Sequence, residues 1–432
     1  MIVVLGAGLT GLSTAFHLRD MEYLVFERER APGGLARSAT CGAFFFDFAG
    51  HVLHFKDEYV LSLLDDLLGD DQLKIHRSAW VRFQDRLVPY PFQAHTHALP
   101  EAVRLECLRA FADTLVAPPT GGDGRLELPF TEWAEETFGA GFARHFFLPY
   151  TRKSLAADPA TLTSEWAAGV IPRPDLEDVL RGALGIPNRT FGYNPIFRYP
   201  ASGAIQRLPS ALARRIRPVQ LARSVVRIDS RARTIRLLDG ETIPYRSLVS
   251  TIPLPELIGM VEDIPEDLRR AAKELRWCSI ACFNFGIDGK LGHGRHWTYY
   301  PEPKYDFYRV GYPSNLSPRM APRRMSSLCA EVAYPSHSFP PEESAQERIL
   351  EQLVDAGELL RKDCVVARSR LDLPFAKVLF DRRRREILPG LFAALRRLGI
   401  HPAGCFGTWD YLSMEESILQ GKQVADMLRR IE

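Results

Sequence analysis

The sequence predicts an α/β fold whose first domain is assembled from separate stretches of the chain. Three patterns indicate this: a strand, a helix and a second strand open the chain, helices fill its middle, and strands return in the second half. A chain of 432 residues also exceeds what one compact core usually holds. The predicted division is a discontinuous first domain (1–78, 199–255 and 390–432), a helical module (95–190) and an antiparallel-sheet domain (79–94 and 256–389).

The opening unit carries a glycine pattern typical of dinucleotide binding. Ile2–Leu5 is predicted as a buried strand, residues 12–18 as a helix and Tyr23–Phe26 as a second strand that ends at Glu27. The intervening glycines have G-x-G-x-x-G spacing: Gly6, Gly8 and Gly11. In this context the glycines permit a tight turn, close approach of a pyrophosphate and close helix–strand packing. The helix N-terminus then offers N–H groups to phosphates, and Glu27 can accept ribose hydroxyls.

A second glycine pair extends this site and favours FAD over NAD. Residues 27–37 contain the string E-R-x-x-x-x-G-G-x-x-R, which includes Arg30, Gly33, Gly34 and Arg37. The string resembles the glutathione-reductase-type FAD flavoproteins, particularly their amine oxidase and mutase branch. The predicted fold is therefore a glutathione-reductase-type Rossmann FAD-binding domain with an inserted helical module and an antiparallel-sheet substrate domain.

The remaining elements follow from hydrophobic periodicity. Helices are predicted over 60–68, 100–117, 130–147, 176–184, 205–216, 342–360 and 417–430, with a Pro/Gly-rich loop at 118–124. Strands are predicted over 44–54, 197–200, 225–228, 234–238, 247–251, 278–287, 297–301 and 329–333, with a hairpin over 80–83 and 87–88.

Composition narrows the functional class. The formal net charge of +2 gives no general field for nucleic acid, and the basic cluster at 382–385 is predicted on a solvated loop or helix face. The seven cysteines are odd in number and lack C-x-x-C spacing, which argues against a metal site or a disulfide framework. There is no room for a signal peptide before the first strand and no apolar run of about 18 residues, so a cytoplasmic location is expected.

Several segments resemble the UDP-galactopyranose mutases, especially the eukaryotic type, from the start of the chain to near its end. The matching pieces are Ala49-Gly50-His51, Arg82 with V-P-Y-P-F-Q (88–93), Pro149-Tyr150, Trp166, Asn194, F-R-Y-P-A-S-G (197–203), Trp297-Thr298-Tyr299, Phe307-Tyr308-Arg309 and G-C-F-G-T-W-D-Y (404–411). The resemblance implies that N5 of reduced FAD attacks the sugar C1 and that a flavin–sugar adduct opens and recloses the ring. NADPH and NADH are the candidate reductants, and the sequence does not identify which compound reduces the flavin.

The resemblance also implies site residues. FAD would contact Gly50, His51, Arg82, Val225, Gly407 and Met414, beside the glycines, Glu27 and Arg37. The substrate, a nucleotide sugar, would contact Tyr90, Phe92, Gln93, Phe146, Tyr150, Asn194, Trp297, Tyr299, Arg309 and Tyr411. Catalytic roles would fall to Arg309, Tyr299, Tyr411 and His51. Several assignments have a structural alternative: loop packing for Tyr90 and Phe92, buried tyrosines with satisfied hydroxyls for Tyr299 and Tyr411, a surface ion pair for Arg309 and a structural role for His51.

The sequence departs from the family where the family binds diphosphate and sugar. Cys405 and Val170 replace arginines, Leu373 replaces a tyrosine, Thr151 an asparagine and Leu155 a tryptophan. The lost donors predict a substrate other than UDP-galactose. Two alternatives stay open: an FAD oxidoreductase of the amine oxidase or protoporphyrinogen oxidase type, and a flavin-binding protein with a decayed substrate pocket. Cys405 is either a redox thiol near the flavin or an inert buried thiol.

Overall fold

The computed structural model describes residues 1–18, 20–116, 127–167, 169–189, 191–192, 194–338, 340–342 and 344–431. Its strands, in chain order, are β1 (Ile2–Leu5), β2 (Tyr23–Phe26), β3 (Ser38–Cys41), β4 (Phe44–Asp47), β5 (Gln72–His76), β6 (Ala79–Phe83), β7 (Arg86–Pro89), β8 (Ile196–Pro200), β9 (Val225–Asp229), β10 (Thr234–Leu237), β11 (Thr242–Pro244), β12 (Ser247–Ser250), β13 (Trp277–Ile287), β14 (Trp297–Tyr299), β15 (Arg309–Gly311), β16 (Ser326–Pro335), β17 (Val365–Val378) and β18 (Ile400–Pro402).

The α-helices, in chain order, are α1 (Leu9–His17), α2 (Glu58–Leu68), α3 (Glu101–Val116), α4 (Phe130–Phe142), α5 (Leu148–Leu155), α6 (Leu176–Leu184), α7 (Arg207–Ala213), α8 (Leu254–Met260), α9 (Glu266–Ala272), α10 (Pro313–Leu316), α11 (Ala345–Asp355), α12 (Arg382–Arg397), α13 (Gly404–Gly407) and α14 (Met414–Ile431). Across the described ranges, no helix combines the length and the apolar character needed to cross a membrane.

A parallel four-stranded sheet, in the order β18-β12-β1-β2, holds the N-terminal unit. Its central strands β1 and β12 are buried along their whole length, as expected of a parallel sheet covered on both faces. Helix α14 packs on α1, where the Ser13 hydroxyl donates to the Ile418 carbonyl at 2.6 Å. Gly421 permits this close approach, because a Cβ there would lie 2.5 Å from the Thr10 carbonyl oxygen. The two ends of the chain therefore build one layer.

A seven-stranded sheet, in the order β17-β13-β16-β15-β14-β6-β7, forms the other large layer. Its pairs are antiparallel except β14 with β6. Strands β6 and β7 come from 79–89 and the others from 277–378, so the sheet joins two distant stretches of the chain. The α/β class predicted from the sequence is confirmed, and the exact domain bounds stay a prediction.

The helical middle differs from its prediction in one place. The predicted helix 130–147 is broken into α4, a π-helical turn over Ala143–Phe147 and then α5. A separate kink lies inside α4 at Gly139, which has φ +83° and packs against α3: a Cβ there would sit 2.4 Å from the Ala110 carbonyl. Gly139 therefore lets α3 and α4 cross closely, and its non-helical backbone interrupts the regular geometry of α4.

Other element predictions need correction. The predicted strand 44–54 stops at Asp47, because the chain turns at Ala49, which has φ +61°. Strand β17 and helix α12 were not predicted. In the basic cluster at 382–385, Arg383 pairs at the surface with Glu274, but Arg384 is buried. The predicted loop 118–124 lies outside the described residues.

Candidate active site

A continuous cavity of about 1370 Å³ runs from the glycine-rich turn after β1 to the seven-stranded sheet. Small-molecule pockets usually measure roughly 300–1,000 Å³, so this cavity has room for a large coenzyme and a further ligand. At the glycine-rich end, the lining residues come from 5–10, 26–37, 48–56, 223–226, 251–256 and 404–417. The helical module and the seven-stranded sheet contribute lining residues from 146–171, 299–309 and 372–380.

The first end of the cavity is a glycine cradle. Gly6 has φ +92°, and a Cβ on Gly11 would lie 2.0 Å from the Gly6 carbonyl oxygen, so helix α1 begins directly on the turn. Gly8 precedes α1 without a side-chain cap, which leaves N–H groups of the first turn for a ligand. A Cβ on Gly8 would meet only the Gly34 Cα, at 3.9 Å. The Gly33 N–H donates to the Ala7 carbonyl at 2.7 Å and closes the cradle.

Glu27 stands at the end of β2 in the same cradle. Its carboxylate is buried and accepts the N–H groups of Ala7 at 2.8 Å and Glu29 at 2.9 Å. Arg37 donates through Nε to the Gly34 carbonyl at 2.8 Å and pairs with Glu29 at 3.2 Å. A fixed carboxylate beside an uncapped helix N-terminus fits the ribose and pyrophosphate of an ADP group. Val225, the predicted contact from β9, also lines this end.

His51 lies further along the cavity, in the turn after β4. Its Nδ1 is buried and has no hydrogen-bond partner among the described residues. Burial, with a contribution from Arg309, lowers the pKa of His51, so the imidazole is neutral near pH 7. A buried nitrogen without a partner is costly unless a ligand satisfies it. Together with the glycine cradle, this nitrogen fits FAD, whose ring system would continue from the ADP end.

The C-terminal segment supplies the neighbouring wall. Cys405, Tyr411 and Met414 line the cavity, and Tyr411 is exposed at its mouth. The Cys405 thiol donates to the Asp410 carbonyl at 2.7 Å. Burial raises the pKa of this thiol to about 11, so it stays protonated near neutral pH. A protonated, hydrogen-bonded thiol supports the inert reading of Cys405.

Arg309 is held by a buried carboxylate beside the turn that contains His51, where the Gly50 N–H also donates to Glu331 Oε1 at 3.2 Å. Glu331 is paired with Arg309 across β15 and β16, and Glu331 Oε1 accepts from Arg309 Nε at 3.0 Å and Nη2 at 2.7 Å. The other Glu331 oxygen accepts from the Tyr308 hydroxyl. Burial opposes both charges, but their mutual attraction dominates: the pKa of Arg309 is raised and that of Glu331 is lowered. The pair is therefore ionised, and Arg309 is not a surface ion pair.

Aromatic side chains surround this clamp. Tyr150 stacks on Phe146, with ring centres 5.5 Å apart, and meets Tyr299 edge-on at 5.0 Å. Tyr90 lies 5.3 Å from Tyr299. Burial raises the pKa of Tyr150 well above its ordinary value, so its phenol remains a hydrogen-bond donor. Asn194 also lines the cavity, and its Oδ1 accepts from Arg77 at 2.7 Å.

Six predicted site residues lie away from the cavity wall: Gly11, Arg82, Phe92, Gln93, Trp297 and Gly407. Phe92 is buried behind Phe146, which it stacks on at 5.0 Å. The Gln93 amide donates to the Pro172 carbonyl at 2.7 Å. Arg82 pairs with Asp85 at 3.4 Å, and Trp297 packs at 6.1 Å from Phe197. A Cβ on Gly407 would lie 2.7 Å from the Ser250 carbonyl, so this glycine serves close packing, as Gly11 does. These positions support the cavity from behind.

The positions that depart from the mutase pattern do line the cavity: Thr151, Leu155, Val170, Leu373 and Cys405. Leu155 and Leu373 are buried and apolar. They therefore provide none of the hydrogen-bond donors that a tryptophan or a tyrosine would provide at these positions. This part of the wall is therefore more apolar than the resemblance predicts.

Sequence reasoning missed three charged residues of this region. Glu331 alternates with apolar residues on β16, and only the strand register shows that it faces Arg309. Lys377 lies on β17, which was not predicted. Arg384 donates to the Trp409 carbonyl at 2.8 Å and reaches Glu165 at 3.5 Å and Asp410 at 3.4 Å, both of which line the cavity. Among the described residues, no cluster of His, Cys, Asp and Glu could hold a metal ion.

Comparison with known proteins agrees with this geometry. A crystal structure of reduced UDP-galactopyranose mutase is 27% identical in sequence; the match covers 100% of this chain and 94% of that chain with a TM-score of 0.92. A putative protoporphyrinogen oxidase from Exiguobacterium sp. 255-15 shares the fold at 16% identity, over 100% of this chain and 99% of that chain, with a TM-score of 0.76. Cyclohexylamine oxidase from Brevibacterium oxydans IH-35A shares it at 15% identity, over 100% and 98%, with a TM-score of 0.68.

The family comparison covers nearly the whole chain. The family model described as flavin containing amine oxidoreductase matches residues 9–428. That span includes Glu27, the Arg309–Glu331 pair and the C-terminal wall of the cavity. The chain therefore belongs to the flavin-containing amine oxidoreductase family, and it is an FAD flavoprotein with the fold shared by UDP-galactopyranose mutase and the amine oxidases.

Proposed function

We propose that the protein is an isomerase that interconverts the ring forms of a nucleotide-linked sugar other than UDP-galactose. The observation that carries the proposal is the Arg309–Glu331 clamp, which stands in the cavity among Tyr150, Tyr299 and Tyr308. Similarity to a reduced UDP-galactopyranose mutase over the whole chain supports the same reaction class. The arrangement suits a reaction in which an anionic phosphate group departs from the sugar and then rebinds to it, without net oxidation.

The proposed reaction divides its tasks between coenzyme and protein. Bound reduced flavin, primed by NADPH or NADH, supplies the nucleophile for the anomeric carbon. Arg309 uses Nε and Nη2 on Glu331, so its Nη1 is the donor available for the departing anion. Because Glu331 fixes the guanidinium in advance, little reorganisation is needed when charge develops.

The tyrosines would orient the sugar. Burial keeps the Tyr150 phenol protonated, and it stands next to Tyr299 in the wall, so both hydroxyls can donate to sugar or phosphate oxygens. His51, neutral and with an unsatisfied Nδ1, would position the flavin and exclude water from that side. Tyr411, which lines the cavity at its exposed mouth, would contact the substrate there.

UDP-galactose itself is disfavoured by the replaced donors. Val170, Leu373 and Cys405 offer no charged donor to a diphosphate, and a hydrogen bond to a charged group contributes roughly 1.5–3 kcal/mol. Losing two such bonds would weaken binding by about two to four orders of magnitude. The substrate is therefore expected to differ in its base, its sugar or its phosphate geometry.

The test uses purified holoenzyme under anaerobic conditions. The flavin is reduced with dithionite, NADPH or NADH, and a panel of nucleotide sugars is added. An isomerase requires the reduced flavin, converts a nucleotide sugar to an isomer of equal mass and consumes no reductant, which chromatography with NMR detects. Arg309→Lys, which preserves the charge opposite Glu331, is expected to lower kcat/KM at least tenfold while FAD stays bound. Absence of conversion across the panel counts against the proposal.

A second candidate is an FAD oxidoreductase that takes hydride from an amine or a C–H bond. The apolar wall around Leu155, Val170 and Leu373 favours it, because such a pocket suits an uncharged substrate. In that case the oxidised flavin loses its visible absorbance on addition of an amine or alcohol, and molecular oxygen restores the colour. Substrate-dependent bleaching without isomerisation would select this candidate.

A further inference from the structure

Two lysines reach into the interior beside the cavity, and their surroundings differ. Lys153 on α5 donates to three carbonyl oxygens, those of Tyr300 at 2.8 Å, Glu302 at 2.7 Å and Phe307 at 2.7 Å. All three of its N–H groups are satisfied by the protein. Lys377 on β17 makes one hydrogen bond among the described residues, to the Ser154 carbonyl at 3.0 Å. Two donors of Lys377 are therefore available to a ligand.

The sheet register aims Lys377 at the cavity. Lys377 pairs with Cys278 and Leu373 pairs with Ile280, so four residue steps along β17 match two along β13, which is a bulge. Both offsets are even, so Lys377 and Leu373 lie on the same face of the sheet, and both line the cavity. The Lys377 amine lies 4.5 Å from the centre of the Tyr308 ring. The hydroxyl of Tyr308 donates to Glu331, the carboxylate that holds Arg309.

The charge balance around Lys377 is incomplete. Glu331 is already committed to Arg309, and within the described part of the chain no carboxylate lies within ion-pair distance of Lys377. Burial lowers the pKa of Lys377, as it lowers that of Lys153 to about 7. A buried ammonium group is stable only when an anion lies close to it. Because Arg309 lines the same cavity, an anion bound there would contact two cations.

We propose that Lys377 is a specificity-determining residue that binds the phosphate-bearing end of the substrate together with Arg309. It supplies a cation in a wall where Val170 and Leu373 provide none. The inference deepens the proposed function, on which its biological meaning rests, but it concerns anion recognition and not the ring chemistry. Bound phosphate would hold Lys377 in its charged form, so binding would take up a proton wherever the free amine is partly neutral.

The groups that would influence this proton are few and identifiable. Those facing Lys377 from the neighbouring elements are Arg309 and Tyr308 beside β15, Glu331 on β16, and the thiols of Cys278 and Cys282 on β13. Arg309 and Glu331 keep their charges because they stabilise each other, and the Cys278 thiol stays protonated because burial raises its pKa. His51, which is also neutral and lies beside Arg309, can take up a proton when an anion binds, so uptake is assigned to Lys377 only if Lys377→Met and Lys377→Arg both abolish it.

The experiment measures inorganic pyrophosphate binding to the oxidised holoenzyme by isothermal titration calorimetry. Holoenzyme is used so that the flavin occupies its own phosphate site. Titrations in two buffers with different ionisation enthalpies report the protons taken up. Lys377→Met is expected to weaken pyrophosphate binding about ten- to a hundredfold and to abolish proton uptake. Lys377→Arg is expected to retain affinity within a few fold but to lose proton uptake, since arginine is always charged.

Two controls separate a specific site from general attraction. Lys56→Met removes another lysine of the cavity wall, an exposed one, and is expected to leave pyrophosphate affinity unchanged. Malonate, a dicarboxylate, tests whether the site prefers carboxylates and is expected to bind more weakly than pyrophosphate. Retained FAD absorbance and an unchanged thermal melt show that Lys377→Met is folded.

Three results would overturn the proposal: no pyrophosphate binding by the wild type, equal binding by wild type and Lys377→Met, or equal losses in Lys377→Met and Lys56→Met. Tighter malonate binding would overturn the assignment to phosphate. Pyrophosphate binding is measured without turnover, so it tests the role of Lys377 whether the isomerase assay succeeds or fails.

Discussion

Replacing Gly8 with glutamate is expected to remove FAD from a protein that still folds. A Cβ on Gly8 would meet only the Gly34 Cα, at 3.9 Å, so the backbone can accept a side chain. The added carboxylate would then occupy the space beside the start of α1, where a pyrophosphate would lie. Two unit charges about 4 Å apart repel by about 4 kcal/mol at an effective dielectric constant of about 20. That energy corresponds to about a thousandfold loss of FAD affinity.

The assay is the ratio of flavin to protein in purified samples, followed by titration of the apoprotein with FAD and a circular dichroism melt. Gly11→Ala is the contrasting variant: its Cβ would lie 2.0 Å from the Gly6 carbonyl oxygen, so the turn must move and the melting temperature should fall as well. A yellow, FAD-saturated Gly8→Glu protein would refute the cradle as the pyrophosphate site.

Three further outcomes are expected. Burial lowers the pKa of His296 from 6.5 to about 4, and its Nδ1 accepts the Ser78 N–H at 2.9 Å. Because the unfolded chain binds this proton at higher pH than the folded chain, stability falls as the pH drops from about 6.5 to about 4. His296→Asn should flatten that part of a profile of melting temperature against pH. Arg384→Met, which leaves the Trp409 carbonyl without its donor, should destabilise the protein by about 3 kcal/mol and weaken FAD binding; an unchanged urea midpoint would contradict this. Cys405 in the native holoenzyme should resist iodoacetamide at mildly alkaline pH, and mass spectrometry showing rapid alkylation would count against its protonated state.

The nucleotide end of the site was predictable because its signal is local. Glycine spacing, a strand of four apolar residues and a terminal acid lie within the first 27 positions, and the structure gives β1 and β2 the predicted bounds. The same holds for α6, where Asp175 forms a capping box with Asp178 at the start of the predicted helix. Local physics decides these elements without help from distant residues.

The part of the site on the seven-stranded sheet was less predictable because its residues meet only through tertiary contacts. Strand β17 runs V-V-A-R-S-R-L-D-L-P-F-A-K-V, in which charged residues and a proline hide the alternation of an edge strand. Lys377 was missed with it. Glu331 could not be assigned from the sequence either, since its partner Arg309 lies on another strand and their register is set by the sheet.

The predicted contacts at Phe92 and Gln93 illustrate another limit. Their segment follows β7 and was assigned to the substrate by resemblance, but both side chains are buried behind the wall, where Gln93 donates to Pro172. Sequence similarity identifies which segment approaches a site, while the direction of each side chain depends on the turn. Tyr90, two residues earlier, does reach the cavity.

The parallel sheet also constrains folding during synthesis, because its strands leave the ribosome at widely separated times. Strand β1 takes β12 as its neighbour, with Ile2 opposite Ser247, and β12 takes β18, with Leu248 opposite Ile400. At about 5–20 residues per second, tens of seconds separate the emergence of β1 from that of β18. During that time the nascent N-terminal unit exposes an apolar strand edge, so production of this protein should be sensitive to chaperone supply and to premature termination of translation.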